Sequence, residues 1–489
     1  MLNKYIFNNP EIIRHVRTHL RYPKVLSFIV LYLLSLLSLY TLIFFTMDIG
    51  NPSKFHFEIY SKVIYVTTLG IEYMFYFYVG TYLISNSLAQ EKERGTFDFI
   101  RLTVIERKVI AIGKLLGAPI FLTLLLLITF PFVIIAAVNA QISMLHFIFV
   151  HFNLIVYALL FHTLGLFSAV TLNRSASANG FALSFPILLT MMTLATEKKL
   201  INPFYSLFSA LDKAPFTIRN GNFFGFDIPD FLLTGAIIIY LVIWFMIGLT
   251  RKLDSESNHS ITKKQAVTFT AGMELIIIGL LWEKLAEGST TNLAVFFILN
   301  FILLTIIIAI LNPTREDILI YLNKPQDIKN KLWHSKSPVF NLVIILNIIV
   351  LIFGIIANLS MIISGEISYD NLFYTFALSI FLFLFTFIYS QIFYLSNIIF
   401  IKNASTITSL IIAISMFIPI PINFFTKSNG NFADLFLFNP FILFLALEDQ
   451  KGLVNLANMS QVLILVIIIL GLNVLYMSKQ EETIRKYKL

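Results

Sequence analysis

The stretch AQEKERGTFDFIRLTVIERKVIAIGK, residues 89–114, carries ten charged residues, and a run apolar enough to cross a bilayer lies on either side of it. A helix needs about 20 apolar residues to span the hydrocarbon core. The flanking runs, 63–85 and 115–138, meet that length. The charged stretch then has to lie in water between two spans, and the rest of the chain repeats this alternation.

Hydrophobic residues make up 58% of the 489 residues and charged ones 13%, whereas about a quarter of a soluble domain is charged. Mean hydropathy is +0.84. The apolar runs are continuous and lack period-2 alternation, which excludes a transmembrane barrel. An all-α polytopic membrane protein is the fold class that remains. With no cysteine, disulfides, thiolate zinc sites and a cysteine nucleophile are excluded. Residues 1–24 contain no short apolar core followed by a small-residue cleavage site, so the first span is expected to act as an uncleaved anchor. In a membrane protein the distribution of charge matters more than the net +8, and no nucleic-acid partner is expected.

Twelve spans are predicted, at 25–46, 63–85, 115–138, 146–171, 179–196, 231–250, 267–282, 292–311, 340–363, 371–400, 404–425 and 461–478. With both termini cytoplasmic, 26 of the 35 Lys and Arg fall on the cytoplasmic side and nine outside, as the positive-inside rule requires. Glu274 interrupts the shortest span, 267–282, and is expected near its cytoplasmic interface. The layout is a cytoplasmic amphipathic segment (1–24), a six-span half (25–250), a linker (251–266), a second six-span half (267–478) and a tail (479–489). The halves repeat loosely. Each has a charged cytoplasmic loop after its second span, 86–114 and 312–339. Each has an outer segment with shared wording, NPFYSLFSALDK from Asn202-Pro203 and NPFILFLALEDQ from Asn439-Pro440. Both outer segments read as proline-started helices that dip into the outer interface.

Within 89–114, Gly95 breaks the chain, Thr96 is the expected N-cap and Asp98 sits in the first turn, where a carboxylate suits the helix dipole. Phe97, Ile100 and Val104 form an apolar stripe; Arg101, Glu106, Arg107 and Lys108 supply charge. Such a helix can lie on anionic lipid or serve as a handle for a soluble partner, and periodicity leaves both open.

The run from Glu91 to Leu115, EKERGTFDFIRLT with Gly113-Lys114-Leu115 at its end, resembles the signature of ABC-2 type permeases, the membrane subunits of one class of ATP-binding-cassette transporters. NPEIIRHVRTHLR (9–21) is similar to that family's cytoplasmic interface helix, and the Asn-Pro-Phe segments to its re-entrant helices. Two positions depart from the pattern: Val104 stands where the family has proline, and Val109 where it often has an acid. The second loop lacks the Glu-Arg-Gly-Thr core. The resemblance implies that 89–114 is a coupling helix for an ATPase, with Glu91, Glu93, Arg94, Gly95, Thr96, Phe97, Asp98, Arg101 and Lys114 as the docking residues. It further implies two ATPase subunits as partners, with room for accessory subunits, and a bacterial inner-membrane location. ATP and magnesium would be used by those partners, because this chain has no Gly-x-x-x-x-Gly-Lys-Ser/Thr phosphate loop. No cofactor, metal or catalytic residue is assigned to the chain itself, which is therefore expected not to be an enzyme.

Inside the spans, Glu72 requires a proton, a partner or a wet cavity, with His162 a candidate partner and Tyr76 beside it. Those three are the candidate transport-pathway residues. Export of a hydrophobic or amphiphilic substrate is the leading expectation. The alternatives are a proton-coupled carrier using Glu72 and a membrane enzyme on lipid-linked substrates, for which Asp227, Asp230, Glu448 and Asp449 form no recognisable constellation.

Overall fold

The computed structural model describes residues 8–21, 24–48, 57–172, 175–195, 204, 207, 220–254, 259–286, 290–322, 333, 337–363, 369–399, 464, 466–476, 478 and 479. Among them nine helices are long and apolar enough to cross a membrane. Large apolar side chains such as Leu31, Leu127, Ile155 and Ile306 stand exposed along these helices, as lipid-facing surfaces require. The chain is an integral multi-pass membrane protein. By contact it divides into two compact units, one of Met1–Gly221 with Ile228–Ser260, the other of Asn222–Asp227 with Ile261–Leu489.

The first unit contains α1 (Pro10–His19), α2 (Lys24–Asp48), α3 (Phe57–Glu93), α4 (Thr96–Leu102), α5 (Arg107–Gly117), α6 (Ile120–Asn139), α7 (Met144–Thr171), α8 (Ser175–Ala195) and α9 (Asp230–Asp254). A short hairpin, β1 (Asn220–Phe223) and β2 (Phe226–Pro229), precedes α9. Periodicity gave no hint of it, because four-residue strands fall below any detectable pattern. The predicted span 115–138 is two helices rather than one: α5 ends at Gly117 and α6 begins after Pro119, whose ring cannot continue the hydrogen-bond ladder.

Helix α7 is the hub, packed against α3, α8 and α9. Helix α3 is tied to its neighbours by tyrosine and threonine hydroxyls. Tyr40 of α2 meets Thr68 at 2.7 Å, Tyr73 donates to the Val150 carbonyl at 2.7 Å, Tyr76 to Thr123 at 2.8 Å, and Tyr78 meets Thr190 at 2.7 Å. The aromatic bodies fill the interior while the hydroxyls bridge helices, each bridge contributing about 0.6–2 kcal/mol. Midway, at Phe75–Gly80, α3 widens into a π-helical turn. Such turns leave carbonyls without their usual partner. His162 of α7 supplies one, its Nε2 lying 3.0 Å from the Tyr76 carbonyl. A carbonyl only accepts, so Nε2 carries the hydrogen. Gly80 makes room for the ring, because a Cβ there would stand 2.6 Å from that nitrogen.

The second unit contains α10 (Lys263–Ala286), α11 (Thr290–Leu311), α12 (Arg315–Leu322), α13 (Phe340–Ile363), α14 (Tyr369–Ile399) and the short apolar α15 (Val466–Tyr476). Its core is aromatic and aliphatic, with Phe296, Phe297, Phe301 and Phe385 buried among Ile, Leu and Val. Its interhelical ties are amides: Asn347 donates to Thr386 at 3.0 Å and Asn358 to Thr375 at 2.6 Å. The weak span expected at 267–282 is in fact the 24-residue α10. Glu274 therefore lies at mid-helix, wholly buried in the protein, and not at a water interface. The polar lead-in Lys263-Lys264-Gln265 disguised the true start. The predicted span 404–425 lies outside the described residues.

The His162 bond generates a test. His162→Leu strands the Tyr76 carbonyl and should lower stability by about 1–2 kcal/mol. His162→Gln, which can still donate, should recover most of it in thermal unfolding in detergent. Equal losses in both variants would refute the assignment.

Candidate functional site: the base and tip of the 89–114 segment

The base of the segment is a cluster of charges, buried at Lys114 and Glu11 and open to the surface at Arg14. Helix α1 begins at Asn9, whose side chain caps the Glu11 and Ile12 amides and whose Nδ2 donates to the Val109 carbonyl of α5 at 2.8 Å. This places α1 on a seam of α5 where Gly113 and Gly117 lie one turn apart. A Cβ at Gly113 would collide with Asn9 and Glu11, and one at Gly117 would approach His15 and Ile12 to about 3 Å. Small residues on one face admit close helix contact.

Between these glycines stands Lys114, 1% exposed. Its ammonium reaches Glu91 Oε2 at 2.6 Å and Glu11 Oε2 at 3.5 Å. Arg14 completes the cluster, bonding Glu91 and lying 2.8 Å from Glu11. One lysine and one arginine thus face two carboxylates, and α1, the end of α3 and α5 are joined. His15 is buried on the same face of α1. Burial first, then the nearby charges of Lys114, Arg14 and His19, pushes its imidazole down to about 4 against an opposing pull from Glu91.

The neighbouring charges fasten α3 to the end of α7. Lys92 Nζ donates to the Val170 and Leu172 carbonyls at 2.9 and 3.2 Å, and Glu93 accepts from the Ser175 amide at 2.6 Å. The second unit has a counterpart. Asn312 donates to the Phe393 carbonyl at 2.9 Å, and Asn397 returns a bond to the Pro313 carbonyl at 2.8 Å. In both units the end of one span is pinned to the end of the span two further along.

The tip differs from the sequence expectation by one residue and by one face. Gly95 adopts φ of +70° and is itself the N-cap, so Thr96 is the first helical residue and donates to the Glu91 carbonyl at 3.1 Å. Only glycine enters that region without strain. Of the stripe Phe97, Ile100 and Val104, Phe97 is 2% exposed and Ile100 packs beside it on a cluster with Leu88, Ala111 and Leu249. Val104 falls beyond the seven-residue helix and is fully exposed. The bare apolar surface consists instead of Phe99, Leu102 and Val104, with Phe99 72% and Leu102 83% exposed. Arg94, Gly95, Thr96 and Asp98 are exposed around it.

The other expected site residues separate. Glu72 is buried and accepts from Thr129 of α6, while His162 is engaged by the Tyr76 carbonyl, so the candidate Glu72–His162 pair is not formed. Beside α3 an apolar cavity of about 690 Å³ is lined by Val66, Gly70, Met74, Tyr78 and Leu207 among others. Asn202, Pro203, Asn439 and Pro440 lie outside the described residues. Phe204 and Leu207 of the first outer segment are buried against Tyr73, Phe77 and their neighbours. No group of three His, Asp or Glu that could hold a metal occurs among the described residues. Reading along the chain missed Asn9, Glu11 and Arg14, the partners of Glu91 and Lys114. The available signal was the Asn-Pro cap with acid and base one turn inside it. No family model, curated protein or solved structure matches this chain.

Two expectations follow. Lys114→Met leaves two carboxylates buried beside Arg14 alone and should cost about 3–5 kcal/mol; adding Glu91→Gln should return a large part of that. Additive losses in the double variant, measured by unfolding in detergent, would show that the two groups are not coupled. The second concerns pH. His15 is neutral when α1 is docked and takes up a proton near pH 6.5 when α1 is released, so protons favour release. Docking should be constant above about pH 6.5 and weaken as pH falls toward about 4. Amide-exchange protection across α1 should record this decline, and His15→Gln should flatten it.

Proposed function

We propose that this chain is the membrane subunit of an ATP-binding-cassette transporter of the ABC-2 type. It has two fused six-span halves, both termini in the cytoplasm, and sits in a bacterial inner membrane. It exports a hydrophobic or amphiphilic substrate. Two partner ATPase subunits, using ATP and magnesium, drive it, and the chain itself catalyses nothing.

The single observation that carries this reading is the division of the 89–114 segment into a locked base and a bare tip. Phe99 and Leu102 of α4, with Val104 just beyond its end, form an apolar patch beside the exposed Arg94, Thr96 and Asp98. An apolar centre with a charged rim is what a helix needs to fill a partner's groove and to be chosen by it. Phe97 holds α4 down from beneath, and the ion cluster at Glu91 and Lys114 ties the base to α1 and α3. A push on the tip would therefore reach two spans and the N-terminal helix together. In this reading Glu91, Phe97 and Lys114 support the contact from within, and Arg94, Thr96 and Asp98 meet the partner.

The test is purification of the tagged chain in mild detergent, wild type beside Phe99→Asp with Leu102→Asp. We expect an ATP-binding-cassette ATPase to accompany the wild type and to fall at least tenfold in the variant, with the fold unchanged by circular dichroism. A folded wild-type chain that comes out without any ATPase of its own genome would overturn the proposal.

A further inference from the structure

Near the middle of α10, Glu274 is completely buried, and Asn300 of α11 is completely buried beside it. Asn300 Nδ2 donates to Glu274 Oε2 at 3.3 Å and to the Phe296 carbonyl at 3.1 Å, which uses both hydrogens of the amide. Two atoms are left over, Glu274 Oε1 and Asn300 Oδ1, each buried and without a partner among the described residues. Both are acceptors when the acid is ionised. Two orphaned acceptors and an unneutralised charge in one interior position would cost several kcal/mol.

Among the described residues of the elements packed around it, no cation stands beside the carboxyl to neutralise it. Helices α11 and α13 pack on α10 and contain no charged residue from end to end. The charges of α10 itself are Lys263, Lys264, Glu283 and Lys284, all at its ends. The nearest lysines along the helix are ten residues away, about 15 Å at 1.5 Å per residue. The hairpin tip, whose Phe224 amide bonds the Gly279 carbonyl, contributes only the acidic Asp227. A metal ion between Oε1 and Oδ1 would need further oxygens.

One proton resolves all of this. Placed on Oε1 it makes a donor of the acid, aimed at the one acceptor the amide has left. The result is a closed acid–amide pair, Oε1–H to Oδ1 and Nδ2–H to Oε2, with every polar atom used. We infer that the second unit contains a proton-binding site in which Glu274 is carried as the neutral acid, donating to Asn300. It is independent of the ATPase reading.

The test is infrared spectroscopy of the full chain at neutral pH with three variants. Glu274→Gln keeps the shape and both bonds of the pair, with an amide donor in place of the acid. The wild-type-minus-variant difference should show the loss of one protonated-carboxyl C=O band, with the melting temperature unchanged. Asn300→Leu should shift that band to higher frequency as the carbonyl loses its donor, and should lower the melting temperature by several degrees. Should Glu274→Gln fail to fold, the Asn300→Leu shift still decides. Glu274→Leu should lose stability as Asn300→Leu does. No protonated-carboxyl band assignable to Glu274 would overturn the inference. So would a carboxylate band that responds to sodium, or a Glu274→Gln variant as unstable as Glu274→Leu.

Discussion

A lysine ammonium with 1% of its surface exposed is tolerable only if it is neutralised, and Lys114 is neutralised from two directions. Glu91 arrives from the end of a long span and Glu11 from a short helix far earlier in the chain. The order of the first unit at this end depends on that meeting. The Gly113–Gly117 seam gives α1 its place, but the charges determine which part of α1 lies there, because an uncompensated partner would cost more than the seam could return. The cluster also explains why a short helix with Glu11 and His15 turned inward stays put. Its buried face is polar and finds polar company.

The two units solve the interior-polarity problem with different chemistry. In the first, tyrosine and threonine hydroxyls reach from α3 to α2, α6, α7 and α8. In the second, asparagine amides reach threonines on α14. Both kinds of group need partners where no water is available, and both find them on a neighbouring helix. The pinning of span ends recurs with the same exchange of dialect, Lys92 and Glu93 in one unit and Asn312 and Asn397 in the other.

The membrane character of the chain was open to reading in sequence, because a bilayer demands length and apolarity and both are written locally. The spans from α2 through α14 begin or end within a few residues of expectation, except at α3, which runs from 57 to 93 against an expected 63–85, and where a side chain chooses the boundary. Pro119 splits one span, and the polar start of α10 conceals another's true length. The site was legible only in part. Gly95 and Thr96 announce a helix start, and the charges of 89–114 announce a segment that lies between spans. Which apolar face of α4 turns inward depends on Leu88, Ala111 and Leu249, which are distant in sequence. That Glu91 and Lys114 serve as internal ties depends on Glu11 and Arg14, and no periodicity reports a meeting across some eighty residues. Glu72 and His162 looked like a pair because both are polar residues in apolar spans. The π turn gives His162 a carbonyl instead.

That turn also sets the phase of α3. A π-helical turn holds about one more residue than an α turn, so every side chain beyond it is rotated by about 100° from where an unbroken helix would aim it. Before the turn, Thr68 and Glu72 address α2 and α6 while Tyr73 reaches α7; after it, the helix packs chiefly on α7 and α8. Removing one residue from Phe75–Gly80 would leave a regular helix of nearly the same length, yet everything toward Glu93 would be turned out of register. The 89–114 segment would then swing with it as the hand of a clock does when its spindle slips.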